Sequence, residues 1–179
     1  VTQSLGKNHN IDEAIAVTKD LNEYTKFSIM PMRGHYNVTG SGEVFAWQFG
    51  FPYSVDLTRG FARYNPGDTS TIDLLVRGEI DAMFTIGSDP GAHFPISAVQ
   101  QIAKVPSVCV DPHLTPTTGV SKLHVPVAFN GVEVGGNCYR MDNVPIDCRK
   151  VVEPPEGMLT DEQFLIKVRD RLKQLKGVA

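Results

Sequence analysis

Arg33 opens the stretch RGHYNVTG (33–40), directly after an apolar run at residues 27–30 that reads as a short strand. A guanidinium then stands at a strand's carboxyl end, beside a polar turn bearing Gly34 and Gly40. In an open α/β sheet that edge is where ligands bind. Arginine's planar fork holds a carboxylate or phosphate through two parallel hydrogen bonds, which a lysine ammonium does not. The chemistry on offer is anion binding and orientation. The bland alternative for Arg33 is a structural ion pair with Asp56 or Asp89.

Two more loops carry suitable residue types. Gly87-Ser88-Asp89-Pro90 follows an apolar stretch at 80–86, and Asp111-Pro112-His113 follows another at 108–110. Glycines let backbone N–H groups approach a phosphate, and an aspartate accepts hydrogen bonds from a purine amino group or a ribose hydroxyl. Leaving one edge of one sheet, the three loops together outline a nucleotide-shaped site. Singly they are ordinary: residues 87–90 also suit a plain turn, and Gly40-Ser41-Gly42 is no GxGxxG fingerprint.

The elements that must position these loops are legible in the pattern. Ile11, Ala14, Ile15 and Leu21 recur at helical spacing within residues 10–24, with Asn10 and Glu13 placed like a capping box. A second helix is predicted at 70–76, opened by Ser70 and closed by Gly78. Strand 80–86, helix 95–104 and strand 108–110 follow. Such alternation predicts an α/β fold with a Rossmann-like, doubly wound, mainly parallel sheet and helices on both faces, because each parallel crossover must pack back over the sheet. Beyond Leu114 the pattern predicts a Thr/Gly-rich loop, an extended run at 123–129 and looped chain at 130–143. Residues 144–179 are expected to form an irregular tail and a terminal amphipathic helix, with Thr160 and Gln163 as its capping box. Residues 1–179 therefore read as a single α/β domain.

Composition narrows the function classes. With 41% hydrophobic and 21% charged residues, a net charge of −3 and no long Lys/Arg run, the chain has no electrostatic footprint for nucleic acid or anionic lipid. No apolar stretch nears the ~20 residues that span a bilayer, and residues 1–10 are too polar for a secretory signal, so a cytoplasmic location is expected. Val1 in place of an initiator Met suggests a piece of a longer polypeptide. Cys109, Cys138 and Cys148 are an odd, widely spaced set, read as reduced and structural rather than as disulfides or metal ligands. Neither does any pair of His residues suggest a metal site.

The wording of these loops also resembles a known family. RGHYNVTG is similar to the RGxNNVxG segment of molybdopterin oxidoreductases such as formate dehydrogenase, and Ile86-Gly87-Ser88-Asp89-Pro90 to their strand-then-G-x-[DN]-P loop. Asp111 with Thr115 and Thr118, then Leu123-His124-Val125-Pro126, looks like their D-x-x-x-T stretch before ADVVLP. Residues 131–142 look like the E-x-x-G segment that follows. In detail, MPMRGHYNVTGSGEVFAWQFGFP and GSDPGAHFP most resemble the C-terminal part of formylmethanofuran dehydrogenase B subunits.

That resemblance implies a tungsten or molybdenum ion held by two pterin guanine dinucleotides, interconverting carbon dioxide and formate for formylmethanofuran formation in archaeal methanogenesis. It gives Arg33 the role of binding and orienting the carboxylate. It places Asp89, Asp111 and Asp142 at one guanine dinucleotide, with Gly34, His35, Asn37, Gly87, Ser88, Pro90, Pro112 and Thr115 in the same matching segments. The implied partners are the other subunits, among them a separate dinucleotide-binding β-barrel subunit, and iron–sulfur electron carriers. The family's metal-binding cysteine and its iron–sulfur cysteines lie upstream of this arginine, so the chain alone is expected to be inactive. Two other readings stand beside this one: a piece of a formate dehydrogenase, or a non-catalytic nucleotide-binding or assembly module.

Overall fold

A computed structural model describes residues 10–32 and 34–177. Helix α1 (Ile11–Leu21) forms where its periodicity predicts, but Asn10 makes no side-chain cap, so the expected capping box is missing. Its far end is closed instead by Asn22, whose amide donates to the Phe27 carbonyl at 2.8 Å and accepts from the Phe27 N–H at 3.1 Å. The run at 27–30 is not a strand: it is exposed and pairs with nothing among the described residues. Apolar side chains favour a strand, but the ladder exists only where a neighbour takes up its backbone groups.

The polar turn expected at 33–40 runs into a helix, α2 (Val38–Phe49). Gly40, Gly42 and β-branched Val38 and Thr39 are poor helix formers, so packing overrides propensity here. Asn37 takes a left-handed φ of 52° at the helix start. At Gly40 a Cβ would lie 2.3 Å from Asn37 Oδ1, so a larger residue would have to displace the Asn37 side chain. A short antiparallel pair, β1 (Val55–Asp56) and β2 (Arg63–Tyr64), follows.

The centre of the molecule is helix α3 (Thr71–Arg77), strand β3 (Met83–Ile86), short helix α4 (Pro90–His93), helix α5 (Ile96–Lys104), strand β4 (Ser107–Val110), helix α6 (Pro116–Val120) and strand β5 (Leu123–Val125). Ser70 caps α3 by accepting from Asp73 N–H, and Gly78 ends it at φ 70°. The strands form one parallel sheet in chain order, with Met83 opposite Ser107 and Val108 opposite Leu123. Leu75, Ala98 and Ile102 are buried together, with Ile80, Met83, Phe94 and Val120 packed on them. Full burial of a Leu75 or Ile102 side chain contributes roughly 1.5–3 kcal/mol. Phe84, one residue along β3 and so on the opposite side of the sheet, stacks on Phe164 with centroids 6.2 Å apart.

Two expectations for the later chain are corrected. The Thr/Gly-rich segment after Leu114 holds helix α6, because Thr115 and Thr118 form a reciprocal capping box and Pro116 sits at its first position. The expected irregular stretch contains an antiparallel hairpin, β6 (Gly136–Tyr139) and β7 (Pro145–Cys148). The terminal helix α7 (Asp161–Lys176) forms as expected, with Thr160 and Gln163 capping it and Gly177 closing it in the left-handed conformation. The fold is thus mixed α/β around a three-stranded parallel sheet. Among the described residues its strand order contains no reversal, so the wider, doubly wound sheet expected from sequence is not seen. No described helix is long and apolar enough to cross a membrane.

Candidate functional site

The registered ends of the parallel strands bring two of the predicted loops together. Gly87 N–H donates to the Val110 carbonyl at 2.9 Å, and Asp111 N–H to the Val125 carbonyl at 3.2 Å, so the loops after β3 and β4 leave one edge side by side. A cleft of about 500 Å³ opens there. Gly87, Asp111, Pro112 and His113 line it from the sheet, Tyr36, Asn37 and Ser41 from the start of α2, Gly135–Asn137 from the hairpin, and Asp161 from the first turn of α7. Asn37 ties two of these walls together: its Oδ1 accepts from Tyr139 N–H at 2.9 Å and its amide donates to the Asn137 carbonyl at 3.4 Å.

Two carboxylates face this cleft. Asp111 is buried, 8% exposed, and its Oδ1 accepts from the His113 N–H at 2.8 Å. Its carbonyl accepts from His124 Nε2 at 2.8 Å, which fixes the loop's path. Asp161 Oδ2 accepts from the Asn130 amide at 2.5 Å, whereas Oδ1 is buried with no partner. Burial raises the Asp161 pKa, the Asn130 hydrogen bond opposes this, and the nearby Asp111 charge adds to the rise. An orphaned acceptor beside a second carboxylate leaves the cleft short of donors. It suits a ligand that brings N–H or O–H groups, as a guanine edge or a ribose does.

The sequence-predicted residues divide. Asn37, Gly87, Asp111 and Pro112 line the cleft. Asp89 does not: its Oδ1 accepts from Thr117 N–H at 3.0 Å and from the Thr117 hydroxyl at 2.5 Å, bracing α6 against the β3 loop. Burial works against its ionisation, yet the Thr117 bonds, together with smaller contributions from His93 and Thr115, hold the carboxyl below its ordinary pKa. Gly91 reinforces the brace, since its N–H donates to Thr117 Oγ1 at 2.8 Å and a Cβ there would lie 2.6 Å from the Thr117 nitrogen. Thr115 is spent on the α6 cap. His35 stands edge-on to His93 at 5.3 Å, which brings the segment after Arg33 to the end of α4. Gly34, Ser88 and Pro90 are not cleft-lining residues. Asp142 is exposed beside the hairpin and paired with Arg140, away from the cleft, and that pairing holds its pKa down to about 2. Arg33 lies outside the described residues.

Asp161, Tyr36 and the hairpin glycines Gly135 and Gly136 were missed from sequence. The capping box at Thr160 places Asp161 in a helical first turn, but nothing in the spacing says which sheet edge that turn faces.

No model of a known protein family matches the chain. Among curated proteins, the B subunit of tungsten-containing formylmethanofuran dehydrogenase 2 from Methanocaldococcus jannaschii is 55% identical over 175 residues, 98% of this chain and 40% of that protein. The protein of the same description in Methanococcus maripaludis is 53% identical over 176 residues, 97% of this chain and 41% of that one. Among solved structures, the formyltransferase/hydrolase complex FhcABCD from Methylorubrum extorquens, determined with methylofuran, matches with a TM-score of 0.65 at 20% identity, over 92% of this chain and 45% of that one. At that identity the likeness speaks to the fold alone. The chain spans about two-fifths of the length of the curated relatives. Over that span, at 53–55% identity, it is a homologue of the B subunits of tungsten-containing formylmethanofuran dehydrogenase 2.

Proposed function

We propose that the chain is part of the catalytic subunit of a tungsten- or molybdenum-dependent formylmethanofuran dehydrogenase, and that its cleft holds the guanine end of one pterin dinucleotide. The observation that supports this most is the convergence of Asp111 and Asp161 in one cleft at the carboxyl ends of parallel strands, with a buried Asp161 oxygen still lacking a donor. A guanine edge presents adjacent ring N–H and amino donors that such carboxylates accept. Gly87 and Asn37 would shape the wall against the ribose, and Asp89 would act at one remove by holding α6 in place. The His35 imidazole would offer a donor to the phosphates, whereas His93 Nδ1 donates to the Asp89 carbonyl at 2.7 Å. Pro112 lines the cleft, and Gly34, Ser88, Pro90 and Thr115 stay in the proposed site on the family resemblance, whereas Asp142, paired with Arg140, is set outside it.

When bound, the metal–pterin group supplies the two-electron exchange between carbon dioxide and formate. Arg33, three positions ahead of the cleft residue Tyr36, would hold the substrate carboxylate in its fork and stabilise negative charge as carbon dioxide is reduced. The family resemblance assigns the metal's protein ligand to another part of the polypeptide, upstream of Arg33. Both outer strands, β3 and β5, have an open edge among the described residues, where strands from that other part would complete a doubly wound sheet. The partners implied are the remaining dehydrogenase subunits, one of them a β-barrel that closes on the dinucleotide, and iron–sulfur carriers.

A second reading, a nucleotide-binding module without redox chemistry, rests on the cleft by itself, since Asp111 and Asp161 would accept from a guanine edge with no metal beside them. Arg33→Lys in the complete enzyme separates the two. We expect formate-dependent turnover to fall by at least about 100-fold while metal and pterin content hold, because lysine keeps the charge and loses the fork. Near-normal turnover would return Arg33 to an ion pair.

A further inference from the structure

Cys138 and Cys148, unremarkable in the sequence, meet in the fold. The hairpin register sets Cys138 opposite Ile146 and Cys148 opposite Gly136, so the two cysteines are diagonal neighbours on one face. Two-stranded ribbons twist strongly, which brings one diagonal close. Their sulfurs stand 3.2 Å apart, about 1 Å beyond the length of a disulfide bond. Both are half-buried, whereas Cys109 is fully buried at 0% exposure and has no cysteine neighbour. The Tyr36 phenol lies against both thiols. The backbone on either side of Cys138 is bonded to Asn37, through the Asn137 carbonyl and the Tyr139 N–H. The pair therefore sits where hairpin and α2 join to form a wall of the cleft.

We propose that Cys138 and Cys148 are a dithiol modification site, which a low-molecular-weight disulfide converts into one intramolecular disulfide that fastens the hairpin at the cleft wall. One cysteine loses its proton and attacks the reagent's S–S bond, forming a mixed disulfide and releasing one reagent thiolate. The second cysteine, losing its proton, attacks the mixed disulfide at the first cysteine's sulfur and releases the other reagent thiolate. The two protons pass to those thiolates. Two cysteine sulfurs are thus oxidised by two electrons in total, and the reagent is reduced to two thiols. The hydrogen bond to Cys148, with burial behind it, raises the Cys138 pKa, so Cys138 rests as a thiol at neutral pH. Thiols that are poor leaving groups make slow attackers and a bond that resists reduction once formed, which suits a latch rather than a catalytic disulfide.

The complete polypeptide, incubated with glutathione disulfide, denatured, alkylated and digested, tests this by mass spectrometry. We expect a cross-link between Cys138 and Cys148, two hydrogens lighter and unalkylated, with Cys109 alkylated as the internal control. In Cys138→Ser the cross-link is lost and Cys148 carries a stable glutathione adduct. In the oxidised protein the Tyr139 amide should exchange its hydrogen about tenfold more slowly than in the reduced protein. Alkylation of both cysteines in the wild type, or glutathione left on both without a cross-link, would overturn the site. Unchanged Tyr139 exchange in cross-linked protein would overturn the latch.

Discussion

Helix α1 and helix α5 are both amphipathic, and they meet opposite fates. Helix α5 buries Ala98 and Ile102 completely against α3 and the sheet. Helix α1 buries nothing completely: Ile15 and Val17 are 54% and 55% exposed, and the segment that flanks it, 27–30, is itself exposed. An apolar stripe at a period of 3.6 specifies a helix, but only a neighbouring surface turns it into stability. The same difference separates the run at 108–110, paired on both sides as β4, from the equally apolar run at 27–30, which pairs with nothing. The region that carries the proposed cleft is the one whose patterns found partners.

This contrast has measurable consequences. Ile102→Ala in the 179-residue chain should cost about 2–5 kcal/mol in urea unfolding, since a fully buried aliphatic side chain leaves a cavity. Ile15→Ala should shift stability by no more than about 0.5 kcal/mol. Equal losses at the two sites would erase the distinction.

A smaller effect probes the brace inside the central unit. Because Thr117 holds the Asp89 pKa below its unfolded value, native Asp89 gives up its proton more readily than unfolded Asp89 does. Its contribution to stability is therefore present above the unfolded pKa of about 3.9 and fades as pH falls through the lower folded value. Urea midpoints should fall less steeply below about pH 4 in Asp89→Asn than in the wild type, with a difference of roughly 1 kcal/mol or less at neutral pH. Identical acid limbs would mean that the Thr117 bonds do not hold the charge.

Much of the central unit was legible because its signals are local. Ser70 and Gly78 bracket α3, Thr160 and Gln163 open α7, and the alternation from 70 to 110 carries its own connections. What escaped depends on contacts far along the chain. Helix α2 forms despite two glycines because Asn37 and Trp47 dock on Tyr139 about a hundred residues away. The hairpin holding Cys138 and Cys148 is set by cross-strand pairing that no short motif announces. At the cleft, strand register delivers Gly87 and Asp111 to one edge, a placement that follows from the alternation of strands and loops. Asp89 misled for a physical reason: a loop aspartate suits a ligand and a helix brace equally, and only Thr117, 28 residues on, decides between them.

The central claim is that the Asp111–Asp161 cleft, and not the hairpin acid Asp142, holds a guanine nucleotide. Guanine nucleotide released by acid from the complete purified polypeptide, counted per chain, tests it most directly in Asp111→Ala and Asp142→Ala. Loss of a buried acceptor at about 1–3 kcal/mol weakens binding roughly 5- to 150-fold, so Asp111→Ala should be depleted of nucleotide while Asp142→Ala retains the wild-type amount. Wild-type content in Asp111→Ala, or depletion in Asp142→Ala alone, would contradict the assignment of the cleft.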